Sequence, residues 1–300
     1  MTLSIVIVSY NTKSILLDCL ESLYVSLEYT GLLNKSEIII VDNASTDGTT
    51  SKIQSKYPKI VLIQNKENAG FGQANNQGIK KAKGIYTLLL NSDTKLFKDT
   101  IKKSLLEIES THIDVLGPKL LNKDGTIQQS AGYFPTPIRV IFWMFFLDSL
   151  SIIKDFIKPY HVKESSFYEN KHDVDWVTGA YFLAKREVFE NTLFDPHVFM
   201  YVEEVELCYR IKKNAKQIIY SPKVSLIHFK GGSSDKGVDA GIIEELNGIK
   251  YYYKTHYGWF AYNTIRLILF SGALLRLLIF AIIKPSERKK EYYKAYLKLA

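Results

Sequence analysis

An α/β fold, with a mostly parallel central sheet and helices on both of its faces, is predicted by three features of the sequence. Short apolar runs alternate with amphipathic segments through the first 118 residues. The runs are continuous rather than alternating, as expected of strands buried on both faces. Each is followed directly by small or polar residues, the pattern of repeated βα units.

Taken in order, strands are predicted at 3–9, 37–42, 60–64, 86–91 and 115–118, with helices at 14–28, 47–56, 71–82 and 98–109 between them. Leu16, Leu20, Leu23 and Leu27 mark the apolar stripe of the first helix. Asn122-Lys123-Asp124-Gly125-Thr126 is a turn signal and predicts a hairpin tip. Residues 135–172 lose the βα rhythm; they contain Pro135, Pro137 and an apolar run at 138–146 interrupted by Arg139. Regular structure is predicted to resume with 174–184, a helix over 201–213, strands near 217–221 and 224–229, and a helix over 239–255.

Composition narrows the function. A chain of 300 residues that is 46% apolar and 23% charged can bury a full core, which excludes a disordered chain or a small disulfide scaffold. Cys19 and Cys208 lie far apart, show no metal spacing, and fit a reducing compartment. The net charge of +8 resides entirely beyond residue 249, where ten basic residues face two acidic ones. A neutral body with a basic tail argues against a nucleic-acid binder, whose basic surface belongs on the folded body. It suits an anionic membrane surface. No basic n-region precedes the first strand, so a cytoplasmic body is expected.

The segment 259–283 is nearly all apolar but carries Arg266 and Arg276. Its 17 residues from Leu267 to Ile283 would measure about 26 Å as a helix. That is short of a hydrocarbon core of roughly 30 Å. A helix lying in the membrane interface, its arginines reaching headgroups, is therefore expected; a buried helix of the body is the alternative.

In open parallel sheets, ligands bind beyond the carboxyl ends of the strands, so the residues just after each strand are the candidates. The first strand ends in Ser9-Tyr10-Asn11. The second ends at Asp42, whose carboxylate can accept hydrogen bonds from a base or ribose, or else caps the next helix with Ser45; for Asp47, further on, the cap is expected. The third leads into Asn68-Ala69-Gly70 and on to Asn75 and Gly78, where glycines allow close backbone approach to a phosphate or sugar. The fourth stops at Asn91-Ser92-Asp93, and Asp93 is a hard oxygen ligand suited to Mg²⁺ or Mn²⁺ on a diphosphate, or else a cap. Glu206 and Arg210 are spaced for a surface ion pair. Glu203 and Glu204 are adjacent; one of them turned into a crevice would have its pKa raised and could take a proton from a hydroxyl. His228 ends an apolar strand before Gly231-Gly232, a position suited to a metal ligand or to a structural histidine.

The ordered set of these segments resembles the inverting family 2 glycosyltransferases of the GT-A fold, especially bacterial rhamnosyltransferase-like members. Ile5 through Asn11, Val41 through Gly48, Asn68 through Gly78, Leu90 through Asp93, Trp176 through Ala180, Met200 through Arg210 and His228 through Ser233 carry the resemblance over residues 3–235. It implies an inverting transfer of rhamnose from dTDP-rhamnose, or otherwise of a hexose from a UDP-sugar, to a lipid-linked saccharide in cell-envelope polysaccharide synthesis. By the same resemblance Ser9, Tyr10, Asn11, Asp42, Asn68, Gly70, Asn75, Asn91, Ser92 and Asp93 bind the nucleotide-sugar. Asp93 and His228 hold the metal, Trp176, Gly179 and Glu203 border the acceptor, and Glu204 is the catalytic base. Two positions depart from the family pattern: Asn91 stands where the metal motif usually begins with Asp, and Glu204 stands in place of the catalytic Asp. The implied organisation is a glycosyltransferase domain at 1–256, with a donor half at 1–118 and an acceptor half at 119–256. A basic membrane-associating segment follows at 257–300, holding the protein to the inner face of the plasma membrane. The departures leave a non-catalytic nucleotide-sugar or glycan-binding module of the same fold as the alternative.

Overall fold

The computed structural model describes residues 1–110, 113–149, 157–198, 200–229, 241–283, 286, 290–291, 293–294 and 296–297. Its first half follows the predicted βα order: β1 (Leu3–Ser9), α1 (Lys13–Tyr29), β2 (Ser36–Asp42), α2 (Thr49–Lys56), β3 (Val61–Gln64), α3 (Phe71–Lys81) and β4 (Tyr86–Asn91). A short β5 (Thr94–Leu96), α4 (Thr100–Glu109) and β6 (Val115–Leu121) follow. The second half contains β7 (Ile127–Gln128), β8 (Ala131–Gly132), α5 (Pro137–Met144), β9 (His172–Asp173), β10 (Trp176–Val177), β11 (Tyr181–Lys185), α6 (Glu203–Lys213), β12 (Ile218–His228), α7 (Gly241–His256) and α8 (Gly258–Leu278).

The main sheet has the order β3-β2-β1-β4-β11-β6-β12-β5, with β7 beside β6 and β9 beside β12. The four leading strands are parallel, and β11 inserts antiparallel between β4 and β6. Because side chains alternate along a strand, one run feeds two cores. Leu3, Ile5 and Ile7 of β1 enter the core under α1 and α4, whereas Val6 joins Ala74 and Ile79 of α3 on the other face. Gly78 permits that second seating, since a Cβ there would stand 2.3 Å from Val6 Cγ1.

Four expectations change. The run at 174–184 is two strands: β10 leaves the main sheet to pair with β8, and Thr178–Gly179–Ala180 turns the chain back into β11. The two strands expected near 217–221 and 224–229 are one, β12, whose pairing with β6 shifts between Ser221 and Ser225 around Pro222, a residue that cannot donate to a ladder. Glu206 is not on the surface but 1% exposed, gripped by both Arg210 Nε (2.7 Å) and Nη2 (2.6 Å) and facing His256 Nε2 at 3.0 Å. Finally, Arg276 does not point outward: it is 9% exposed on the inner face of α8. There α8 packs on α5, with Ile265, Leu269 and Ala273 in the same core as Val140 and Met144. Gly272 makes room, since a Cβ there would lie 2.6 Å from Met144 Cβ. The outer face of α8 exposes Phe260, Leu267, Phe270, Leu274 and Leu278, and Gly258–Ile282 is long and apolar enough to cross a membrane. Gly231-Gly232 and, in the basic tail, Lys284, Arg288, Lys289 and Lys298 lie outside the described residues.

Candidate active site

The carboxyl ends of the parallel strands align. Ser9 is paired with Asp42, Asp42 with Gln64, and Val8 with Asn91, so the predicted donor residues of four strands share one edge. The edge is laced together by its own polar groups. Ser9 Oγ meets Thr12 Oγ1 at 3.0 Å, and Thr12 reaches Ser92 Oγ at 3.3 Å. Asn11, in the left-handed region at φ 52°, donates its backbone N–H to Ser45 Oγ and accepts from the Thr46 N–H on Oδ1 (2.8 Å). Tyr10, beside it, is half-buried. Asp47 accepts from the N–H groups of Lys13 and Thr49, as expected of a cap. Asp42 is different. Its Oδ1 accepts from the Ser45 N–H at 2.9 Å, but its Oδ2 is buried with no hydrogen-bond partner among the described residues. A buried acceptor left open is costly unless a ligand fills it.

The glycine segment divides its work. Gly70, at φ 81°, begins α3; its N–H is held by Asn68 Oδ1 at 2.9 Å and its carbonyl accepts from Asn43 Nδ2. Asn75 is buried and donates back to Phe71 O at 3.0 Å. The ring of Phe71 lies under Gly179, where a Cβ would come within 2.9 Å, so the loop after β10 rests directly on the start of α3.

Asp93 and His228 meet at the end of β4. Gln128 Nε2 donates to Asn122 Oδ1 (2.8 Å), which orients Gln128 Oε1 to accept from His228 Nδ1 at 2.6 Å. In the neutral imidazole that hydrogen bond leaves the Nε2 lone pair facing Asn91 Nδ2 at 3.4 Å and Asp93 Oδ1 at 3.2 Å. Asp93 is 1% exposed, and its Oδ1 has no hydrogen-bond donor among the described residues. A buried carboxylate oxygen 3.2 Å from a ring nitrogen sets an oxygen and a nitrogen side by side, a donor pair suited to a divalent cation. No group of three or more His, Cys, Asp or Glu side chains around one point occurs among the described residues, so these two would be the protein's share of the ligands. Asn91, the departure from the family pattern, steadies the imidazole instead of adding a charge.

Glu203 and Glu204 open α6, at whose N-terminus a carboxylate is favoured by the helix dipole. The turn that aims them was not legible in the sequence: Tyr201 and Val202 both lie in the left-handed region, at φ 63° and 72°. Such backbone costs roughly 1–3 kcal/mol per residue and persists only where its surroundings hold it. Here α7 holds it. A Cβ on Gly241 would stand 2.5 Å from the Tyr201 ring, and one on Gly248 would stand 2.8 Å from Val202.

The two carboxylates then diverge. Glu203 is buried, its Oε2 unpartnered among the described residues, and burial followed by the Glu204 charge pushes its pKa well above the usual carboxylate range. Glu204 faces a cleft of about 480 Å³ whose wall also includes Gln128, His161, Trp176, Thr178 and His228. Burial, then the Glu245 charge, raises its pKa, while a Gly179 backbone hydrogen bond and the nearby His161 pull it down. Glu245 itself meets His161 Nε2 at 2.7 Å. Trp176 is 6% exposed with its Nε1 unpartnered among the described residues, and stands edge-on to His161. His161 and Glu245 carried no signal in the sequence, because one lies in the irregular stretch and the other on a helix with no motif. A separate cavity of about 510 Å³, lined by Tyr133, Arg139 and Phe167, includes none of the predicted site residues.

Residues 4–193 match the sequence model described as Glycosyl transferase family 2. The chain belongs to this family. Among relatives of this family 2 glycosyltransferase is the N-acetylglucosaminyl-diphospho-decaprenol L-rhamnosyltransferase of Mycobacterium tuberculosis, 26% identical over 220 residues that cover 66% of this chain and 68% of the relative. Another is the low-salt glycan biosynthesis hexosyltransferase Agl10 of Haloferax volcanii, also 26% identical, over 75% of this chain and 66% of that protein. In three dimensions the family 2 chain is similar to the mannosyltransferase PcManGT of Pyrobaculum calidifontis, solved with GDP-Man and Mn²⁺. The TM-score is 0.57 at 15% identity, covering 98% of this chain and 85% of the other. It is also similar to residues 1–349 of Staphylococcus aureus TarS solved with UDP-GlcNAc, with a TM-score of 0.56 at 18% identity over 99% and 80% of the two chains. The shared architecture is the GT-A fold.

Proposed function

We propose that this glycosyltransferase performs an inverting transfer from a nucleotide-diphospho-sugar to a hydroxyl of a lipid-linked saccharide in cell-envelope glycan synthesis. The mycobacterial relative's name favours rhamnose from dTDP-rhamnose over a hexose from a UDP-sugar. In this reading residues 1–118 bind the donor, residues 119–256 bind the acceptor, and residues 257–300 attach the protein to the inner face of the plasma membrane. The apolar stripe on the outer face of α8 supports that attachment.

The observation that carries the reading is the convergence on one cleft of Glu204, Trp176 and His228, with Asp93 3.2 Å behind the imidazole. The open Asp42 Oδ2 accepts from the base, and Asn68 and Gly70 shape the loop over the sugar. The acceptor sugar lies against Trp176. Glu204, made more basic by burial, takes the acceptor's hydroxyl proton as the oxygen attacks the anomeric carbon and the bond to the diphosphate breaks on the opposite side. A Mg²⁺ or Mn²⁺ ion held by Asp93 and His228 would neutralise charge on the leaving diphosphate. Glu203, outside the cleft wall, supports Glu204 from behind.

The test is Glu204→Gln, assayed with dTDP-rhamnose and UDP-hexoses on an N-acetylglucosaminyl-diphospho-lipid. Transfer should fall by about 10²–10⁴-fold, the usual share of a general base, with donor affinity unchanged. Retained transfer, or equal loss of transfer and donor binding, would overturn the assignment.

A further inference from the structure

The cleft that holds Glu204 has a second chemical end. Its lining also includes Phe146, Phe280, Tyr293 and Arg276. Arg276 is a buried cation whose partners among the described residues are all neutral: Nε donates to Met144 O at 2.9 Å, Nη1 to Tyr293 Oη at 2.9 Å, and Nη2 to Trp143 O. No carboxylate lies within ion-pair distance of it among the described residues. These bonds use three of the five N–H groups that a guanidinium carries. A buried charge without a counter-charge is unfavourable, and here the guanidinium borders an open cavity rather than packed core.

Between the two ends runs an aromatic wall. Trp176 stands 5.4 Å from His161, His161 stands 5.5 Å from Trp143, and Trp143 lies 5.3 Å from the Arg276 guanidinium carbon. Proton acceptor, aromatic wall and cation follow one another along a single cleft. Beyond the cation, the same turns of α8 expose Leu274 and Leu278 on their other side. That sequence matches a molecule with a sugar hydroxyl at one end, an anionic group behind the sugar and a hydrocarbon chain after that.

We infer that Arg276 binds the phosphate of a lipid-diphosphate acceptor, fixing the saccharide against Trp176 and Trp143 so that its free hydroxyl meets Glu204. The inference deepens the proposed function and rests on its reading of the acceptor as lipid-linked. The bonds to Trp143 O and Met144 O aim the guanidinium by anchoring it on the last carbonyls of α5, where a cation is also favoured by the helix dipole. A purely structural clamp would make those same bonds, so the test must read anion binding and not stability alone.

Farnesyl diphosphate and farnesol are titrated against the full chain by tryptophan fluorescence, with a chelator present so that no metal draws the diphosphate to Asp93. The intact chain should bind the diphosphate at least about tenfold more tightly than the alcohol, as charge-assisted hydrogen bonds allow. Arg276→Gln should erase that preference while Glu204→Gln keeps it. Equal binding of the two ligands by the intact chain, or an undiminished preference in Arg276→Gln, would overturn the inference. Should Arg276→Gln lose its fold by circular dichroism, Arg276→Lys decides, since it keeps the charge and removes the fork: a smaller preference supports the site, and an unchanged one overturns it. Diphosphate preference without sugar transfer would sink the proposed function alone, whereas transfer without diphosphate preference would sink only this inference.

Discussion

The strand-end edge and the Glu204 cleft, proposed here to take donor and acceptor, are built on opposite principles. At the tips of β1, β2 and β4, polar side chains mostly satisfy one another: Ser9 with Thr12, Thr12 with Ser92, Asn11 with Thr46. Only Asp42 Oδ2 and Asp93 Oδ1 are left open there among the described residues. The cleft side leaves Trp176 Nε1, Glu203 Oε2 and Glu204 Oε2 unpartnered among the described residues, the two glutamates on a backbone turned through two left-handed non-glycine residues. A nucleotide can be gripped by a surface shaped before it arrives. A proton acceptor must instead be kept hungry, and the fold gives up stability to keep it so.

Three substitutions put this contrast to the test. The largest expected effect belongs to the donor side: Asp93→Ala should lower kcat/KM by about 10²–10³-fold, the scale for loss of one electrostatic contact to a transition state. Added Mn²⁺ should not restore the rate, and full activity of the variant would remove Asp93 from the site. Next, Gly248→Ala should destabilise the protein by about 1–3 kcal/mol through overpacking against Val202, read as a lowered Tm, with kcat falling more than donor affinity. An unchanged Tm would mean that α7 does not hold the elbow.

The smallest effect is a gain. Because the Glu203 pKa is raised in the fold, the folded state holds a proton that the unfolded chain releases, so stability declines as pH rises from the ordinary carboxylate range toward the folded pKa. Glu203→Gln should therefore match the native chain near pH 4 and exceed it in stability at pH 7. Denaturant melts at the two pH values check the sign; a variant less stable at pH 7 than at pH 4, relative to the native chain, would reverse it.

The same contrast governs what could be read from the sequence. The donor edge was legible because βα periodicity fixes where strands end, and strand ends fix where Asp42 and Asp93 stand. The acceptor cleft was only partly legible. Resemblance pointed to Glu204 and Trp176, which line the cleft, but nothing in the sequence pointed to His161, Glu245 or the inward turn of Arg276. Those three are positioned by packing between distant segments, and packing leaves no period. Arg276 shows the reason plainly: by spacing it interrupts an apolar helix, and only the carbonyls of Trp143 and Met144, more than 130 residues earlier, show which way it faces. Glu206 misled for the same cause, since an i,i+4 pair reads alike whether water or a neighbouring helix covers it.

The two glycines of α7 have a consequence beyond steric room. They key that helix to the elbow that aims Glu204, and the next helix, α8, follows it after a single residue, Tyr257. Whatever shifts the apolar helix α8 has a short rigid lever to Glu204. Cutting α8 away to gain solubility should therefore loosen the elbow that aims Glu204.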